Sequence, residues 1–315
     1  MQTILGANGQ IAVELARELD RRGSGPLRLV SRNPHAVNAG DELRKADLLD
    51  ARQTAEAVAG SDIVYFTAGL PANTEQWERQ FPTMLRNALD AARAAGARFA
   101  YFDNTYMYPQ DDRIQTEDTP FAPVGPKGRV RAAMATMVLE EMAAGGIPVL
   151  IARAPEFYGP GRTKSFTNAF IFERLARERT PLAPVHADRL RTLIWTPDAS
   201  RALATLGGTP DAYGQTWHLP VDENRLTYRQ FARAANGAFG RPDRLRVLPE
   251  WVLRTAGLVS PEAREIQELL PRYRHDNRFD STKFIERFPD FAVTPYERGI
   301  EIIRDEARTR ADSTR

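Results

Sequence analysis

The sequence predicts an α/β protein, a doubly wound parallel sheet with a smaller, mainly helical second domain. Three observations predict it. Short apolar runs alternate with amphipathic helical stretches through the first 154 residues. A glycine turn, GANGQIA at 6–12, joins the first run directly to the first helix. Beyond Glu156 the alternation loosens into short helices, short strands and loops.

The elements follow in order. TILGANGQIAVELARELDRR reads as strand, turn and helix, with Ile11, Leu15, Ala16 and Leu19 on one helical face. PLRLVSR is the second strand. RKADLLD is a third, short strand ending in ADLLD, and ARQTAEAVAG is a helix closed by Gly60. DIVYFTAG is a fourth strand and TEQWERQFPTMLRNALDAARAAG a long helix ending at Gly96. ARFAYFDNTYMY is a fifth strand running into a loop, VRAAMATMVLEEMAAGG the next helix, and IPVLIARAP the sixth strand. Then come a helix in SFTNAFIFERLARER, a strand in RTLIWT, a helix in PDASRALATLG and a strand in QTWHLP. TYRQFARAANGAFG and PEWVLRTAGL are short helices, and the final helix from Tyr296 frays into charge. The expected division is 1–154 plus roughly 190–220 for the first domain, 155–189 and 221–308 for the second, and a charged tail at 309–315.

Composition narrows the function. Apolar and charged fractions of 42% and 27% are those of an ordinary globule, and a formal charge of +2 points to neither nucleic acid nor an anionic membrane. There is no cysteine, which removes disulfides and thiolate chemistry, and four scattered histidines predict no metal site. No apolar run reaches spanning length, and a strand signal from Gln2 leaves no room for a leader, so a cytoplasmic protein is expected. Only four of 43 basic residues are lysines, leaving 39 arginines, so a lysine at a candidate site carries more information than an arginine.

The glycine turn is built for a dinucleotide. Gly6 permits the tight turn, Gly9 allows close approach of a pyrophosphate, and Ala12 lets helix pack on strand, with Asn8, Gln10 and Ile11 completing the loop. The second strand ends in Ser31 and Arg32, where an NAD-selective protein places an acid for the ribose hydroxyls. An arginine there suits a 2′-phosphate, so NADP is expected ahead of NAD. Asp47 and Leu48 are placed for the adenine edge, and Ala68 and Gly69 for the path to the nicotinamide ribose.

By its motifs the chain resembles the extended short-chain dehydrogenase/reductase superfamily, also called the NAD-dependent epimerase/dehydratase family. GANGQIA, DIVYFTAG, TEDTPFAPVGP, RAPEFYGPG and RTLIWTPDASRAL occur in that family's order, nearly end to end. The resemblance implies a Rossmann-type fold, a dinucleotide cofactor, a small-molecule substrate and pairing into a homodimer. It also implies a catalytic tyrosine, a lysine four residues later, and a serine or threonine on the preceding strand. Aligned on its prolines, this chain has Lys127 and Arg131 in PKGRVR at the first two positions; aligned on Tyr108, it has Asn104, with Thr105 beside it, at the third. That pattern resembles the atypical branch of the superfamily. Lys127 is then a candidate proton donor and Arg131 a candidate for the ribose, while a solvated basic helix start is the plainer reading. Tyr106 and Tyr108 are further candidate acids. Glu156 falls where sugar-processing relatives carry a substrate-binding asparagine, and is expected to contact substrate or to pair with Lys127 or Arg131. Two functions follow: an NAD(P)-dependent oxidoreductase, epimerase or dehydratase on a small polar substrate, or a silent cofactor-binding sensor.

Overall fold

The computed structural model describes residues 1–161, 163 and 165–312, and resolves them into two compact units. The first comprises 1–108, 117–154 and 199–219. Its strands are β1 (Gln2–Leu5), β2 (Leu27–Ser31), β3 (Glu42–Lys45), β4 (Ile63–Phe66), β5 (Arg98–Asp103), β6 (Val149–Arg153) and β7 (Gln215–His218). They form one sheet in the order β3-β2-β1-β4-β5-β6-β7, parallel throughout. The order reverses between β1 and β4, and the carboxyl ends of all seven strands share one edge. That crevice is where open α/β sheets place their sites.

The helices of this unit are α1 (Gln10–Arg21), α2 (Ala51–Val58), α3 (Thr74–Ala95), α4 (Gly125–Ala144) and, from Ala199 on, α5 (Thr196–Gly208). Side chains alternate across the sheet. Leu5, Val30, Val64, Phe66, Phe99 and Ile151 join one core with Trp77, Phe81 and Leu85 of α3 and Val130, Met134 and Val138 of α4. Their neighbours Ile4 and Leu29 turn to the opposite face and are buried there. Polar residues set the helix ends: Asp50 and Asn73 cap α2 and α3, and Gly96 closes α3 at φ 63°.

Two boundaries differ from the sequence expectation. β3 ends at Lys45, so Asp47 and Leu48 lie in the turn after it rather than in the strand. α4 begins at Gly125, five residues before Val130, because a proline in the first turn sacrifices no intrahelical bond. Lys127 and Arg131 therefore stand on one continuous helix.

The second unit comprises 109–116, 155–198 and 220 onward. Leu193–Trp195 pairs in parallel with Glu156–Tyr158, and Leu190–Arg191 pairs with Leu226–Thr227. The segment near 190–196 thus departs from the expected return to the first domain's sheet, whereas Gln215–His218 does join it. The helix expected over 165–179 is shorter, running over 166–176 with π-type winding at Asn168–Phe172. There the Asn168 amide holds both backbone groups of Gly159. Tyr158, Trp195, Phe231 and Tyr296 form the aromatic centre of this unit. The last helix runs to Asp312 without fraying at 309; the end of the expected tail, 313–315, lies outside the described residues, as does Lys164.

Candidate cofactor and catalytic site

The glycine turn sits at the reversal point of the sheet. Gly6 has φ +91°, and a Cβ there would lie 2.5 Å from Ala68 Cα and 2.7 Å from Ala68 N, at the end of β4. Only glycine fits, on both counts. The turn is held by Gly6 N and Ala7 N, which both donate to the Val30 carbonyl, and by Gly9 N, which donates to Gly6 O. Gly9 caps α1 without any side chain, and the first turn of α1 has no acid. The positive end of the helix macrodipole therefore opens onto the same edge, and an anion is favoured there. Buried Ala12 packs α1 down, Asn8 bonds the Asn33 carbonyl, and Gln10 and Ile11 form the opening turn. Ala68 is buried and Gly69 exposed, both following β4 at this edge. This cradle fits a dinucleotide pyrophosphate.

At the ends of β2 and β3 the chemistry is basic. Ser31 Oγ accepts from Asn33 N, while Arg32 is exposed and bonds no other side chain among the described residues. Lys45 is the register partner of Ser31, so the two side chains share a face of the sheet. Sequence reading passed over Lys45, although its being one of only four lysines was a usable signal. Asp47 binds Leu49 N, and the Leu48 carbonyl accepts from Asn87.

The two cations of α4 are not a solvated helix start. Lys127 is 2% exposed, and its Nζ donates to Thr74 Oγ1 at 2.6 Å. Arg131 is 8% exposed; its guanidinium lies over Phe81 at 4.4 Å and Trp77 at 5.0 Å, and Nη1 donates to Tyr101 Oη at 3.4 Å. Gly128 between them approaches the Tyr106 carbonyl so closely that a Cβ would lie 2.9 Å from it. That contact fastens the start of α4 to the loop after β5.

The remaining candidates separate. Asn104 accepts from Tyr106 N and makes the turn, and Thr105 is buried. Tyr106 is half-buried with its ring stacked on Trp77, bringing it into the same group as Arg131. Tyr108 goes elsewhere. It is 1% exposed, accepts from Arg153 Nη1 at 2.6 Å and meets His218 Nε2 at 2.7 Å. Burial pushes its phenol up to about 12, against the opposing pull of Arg153. This placement makes Tyr108 an interior anchor, not the poised acid that its position in the sequence suggested.

Glu156, in the second unit, accepts from Arg191 at 2.8 Å, Thr167 at 2.9 Å and Tyr273 at 3.0 Å. The Arg191 face lies over Tyr273 at 4.5 Å. Burial opposes the carboxylate, but Arg191 and these donors hold its pKa below the usual range. Its cation is Arg191, not Lys127 or Arg131, because three donors of its own unit surround it.

Residues 3–218 match the model of the NAD dependent epimerase/dehydratase family. A protein named Ceramide reductase from Caulobacter vibrioides is 30% identical over 262 residues, covering 81% of this chain and 76% of that one. The fold is that of the solved UDP-glucose 4-epimerase of Thermus thermophilus in complex with NAD, with TM-score 0.76, 16% identity, and 98% and 99% of the two chains covered. MoeE5 in complex with UDP-glucuronic acid and NAD gives TM-score 0.77 and 20% identity over 98% and 99%. The glycine cradle at the sheet's reversal point and the match across 3–218 lead to one conclusion: the chain belongs to the NAD-dependent epimerase/dehydratase family.

Proposed function

We propose that the protein is an NADP-dependent reductase of a small carbonyl substrate, with Lys127 in the role its family gives to tyrosine and Arg131 in that of the family's lysine. One observation carries this reading: a buried lysine amine, bonded to Thr74, one helical turn before a buried arginine. The name of the Caulobacter relative supports reduction over redox-neutral epimerisation. When bound, the cofactor supplies a hydride to the carbonyl carbon. The Lys127 ammonium supplies the proton to the carbonyl oxygen, so that an alcohol leaves and a neutral amine remains to be reprotonated from water. The Lys127 ammonium donates to Thr74 Oγ1, and that bond helps to orient the group. Arg131 contributes a fixed positive charge and further donors for the ribose. Gly6, Gly9 and the start of α1 would hold the pyrophosphate, and Arg32 with Lys45 the 2′-phosphate.

The test is NADPH absorbance decay against a panel of carbonyl compounds, with product analysis to detect epimerisation. Decay with alcohol formation supports the proposal. Tight NADPH binding with neither decay nor product would replace it with a silent cofactor-binding protein. The proposal extends to pairing of two copies through the outer face of α4, where Ala133, Thr136 and Leu139 are exposed. A sedimentation profile of monomers alone at micromolar concentration would remove that part.

A further inference from the structure

We propose that Tyr101, a core residue of β5, is a positioning residue for Arg131; the inference rests on the reading above that Arg131 holds the cofactor. A guanidinium has five N–H donors and accepts nothing. Arg131 engages one of them with Tyr101, has both ring contacts on its face, and leaves Nε without a partner among the described residues. The rings set the plane of the guanidinium, and the Tyr101 hydroxyl is the hydrogen-bond partner that sets its rotation within that plane.

That hydroxyl is itself fixed. Because an arginine only donates, Tyr101 Oη must accept from Arg131 and pass its own hydrogen to Asp103 Oδ1, at 3.2 Å. Asp103, 1% exposed, takes Arg153 Nε on its other oxygen at 3.2 Å. Arg153 also donates to Tyr108, whose hydroxyl shares a hydrogen bond with His218 Nε2. The series Arg131–Tyr101–Asp103–Arg153–Tyr108–His218 converges on Asp103, which accepts from Tyr101 on one side and Arg153 on the other, and links α4 to β5, β6 and β7 inside a single unit. A hydroxyl in an apolar strand is unfavourable unless it is partnered, and Phe66 packs beside the Tyr101 ring. Phenylalanine would fill this site equally well. Burial, and then the Asp103 charge, push the Tyr101 phenol up, so it stays a protonated donor. The hydroxyl serves Arg131.

The experiment is a double-mutant cycle on the full chain, with NADPH affinity from fluorescence titration and thermal midpoints in parallel. Arg131→Met should weaken NADPH about tenfold, and Tyr101→Phe about three- to fivefold. The double variant should bind no more weakly than Arg131→Met, because Tyr101 acts through that side chain. If Arg131→Met leaves affinity unchanged, Arg131 does not hold the cofactor, and that reading falls together with the inference. If Arg131→Met weakens binding and Tyr101→Phe does not, the inference alone is overturned. It is equally overturned if Tyr101→Phe has its full effect in the Arg131→Met background. Should Tyr101→Phe not fold, Asp103→Asn enters the cycle in its place under the same criteria.

Discussion

Replacing Gly6 with alanine tests the cradle at its tightest point. The new Cβ would sit 2.5 Å from Ala68 Cα, and ordinary contact begins at 3.4 Å, so the turn and the end of β4 must separate by 0.9 Å. Both contacting atoms at 2.5 and 2.7 Å are backbone, which cannot rotate away. Forcing an L-residue to φ +91° adds about 1–2 kcal/mol, and overpacking of this kind adds about 1–3 kcal/mol. The sum is a loss of about 2–5 kcal/mol in stability, with any surviving folded protein holding a displaced turn. Urea unfolding gives the stability, and NADPH titration gives the site, where a drop of about a hundredfold in affinity is expected for a displaced pyrophosphate loop. Gly40→Ala is the control, since nothing lies within 4 Å of its Cβ position and its φ is not positive; it should stay within about 0.5 kcal/mol. A Gly6→Ala protein with unchanged stability and unchanged NADPH affinity would refute the reasoning.

Three other outcomes are expected. Arg32→Ala and Lys45→Ala should each weaken NADPH by about tenfold and leave NADH unchanged, the signature of a lost 2′-phosphate contact; equal losses for both cofactors would contradict the assignment. Glu156→Gln leaves the Arg191 charge buried without its counter-ion and should lower stability by about 3–5 kcal/mol at neutral pH. The sign in pH follows from the depressed carboxyl. Wild-type stability from this pair is complete above the unfolded value near 4.5 and is lost as pH falls through the lower folded value, so the difference between wild type and Glu156→Gln should shrink on acidification. Denaturation midpoints of both proteins across that range check it, and a gap that widens toward acid would be the wrong sign.

What the sequence disclosed, and what it hid, follows sequence separation. The glycine turn was legible because its strand, turn and helix are contiguous, and α3 because Gly96 marks its end. The family's motifs carried the fold as far as β7. The surroundings of Lys127 and Arg131 were not legible. Their partners Thr74 and Tyr101 lie 53 and 30 positions away, and Trp77 and Phe81 read as ordinary core positions on an amphipathic helix. Two cations at adjacent turns look solvated unless the aromatic faces that cover one of them are known. Tyr108 looked like a cleft residue because it follows a strand end; its partner His218 is 110 positions downstream. Glu156 and Arg191 are likewise 35 positions apart, in segments that the sequence reading assigned to different domains. A short strand such as Leu193–Trp195 carries no mark of which sheet it will join.

The role of Lys127 is the claim on which the mechanism turns, and rapid-mixing turnover of Lys127→Met tests it most directly. With a carbonyl substrate found in the panel, NADPH affinity should match wild type while the single-turnover rate of NADPH oxidation falls about a hundredfold or more, the scale of a lost general acid. A Lys127→Met protein that oxidises NADPH at the wild-type rate would contradict it.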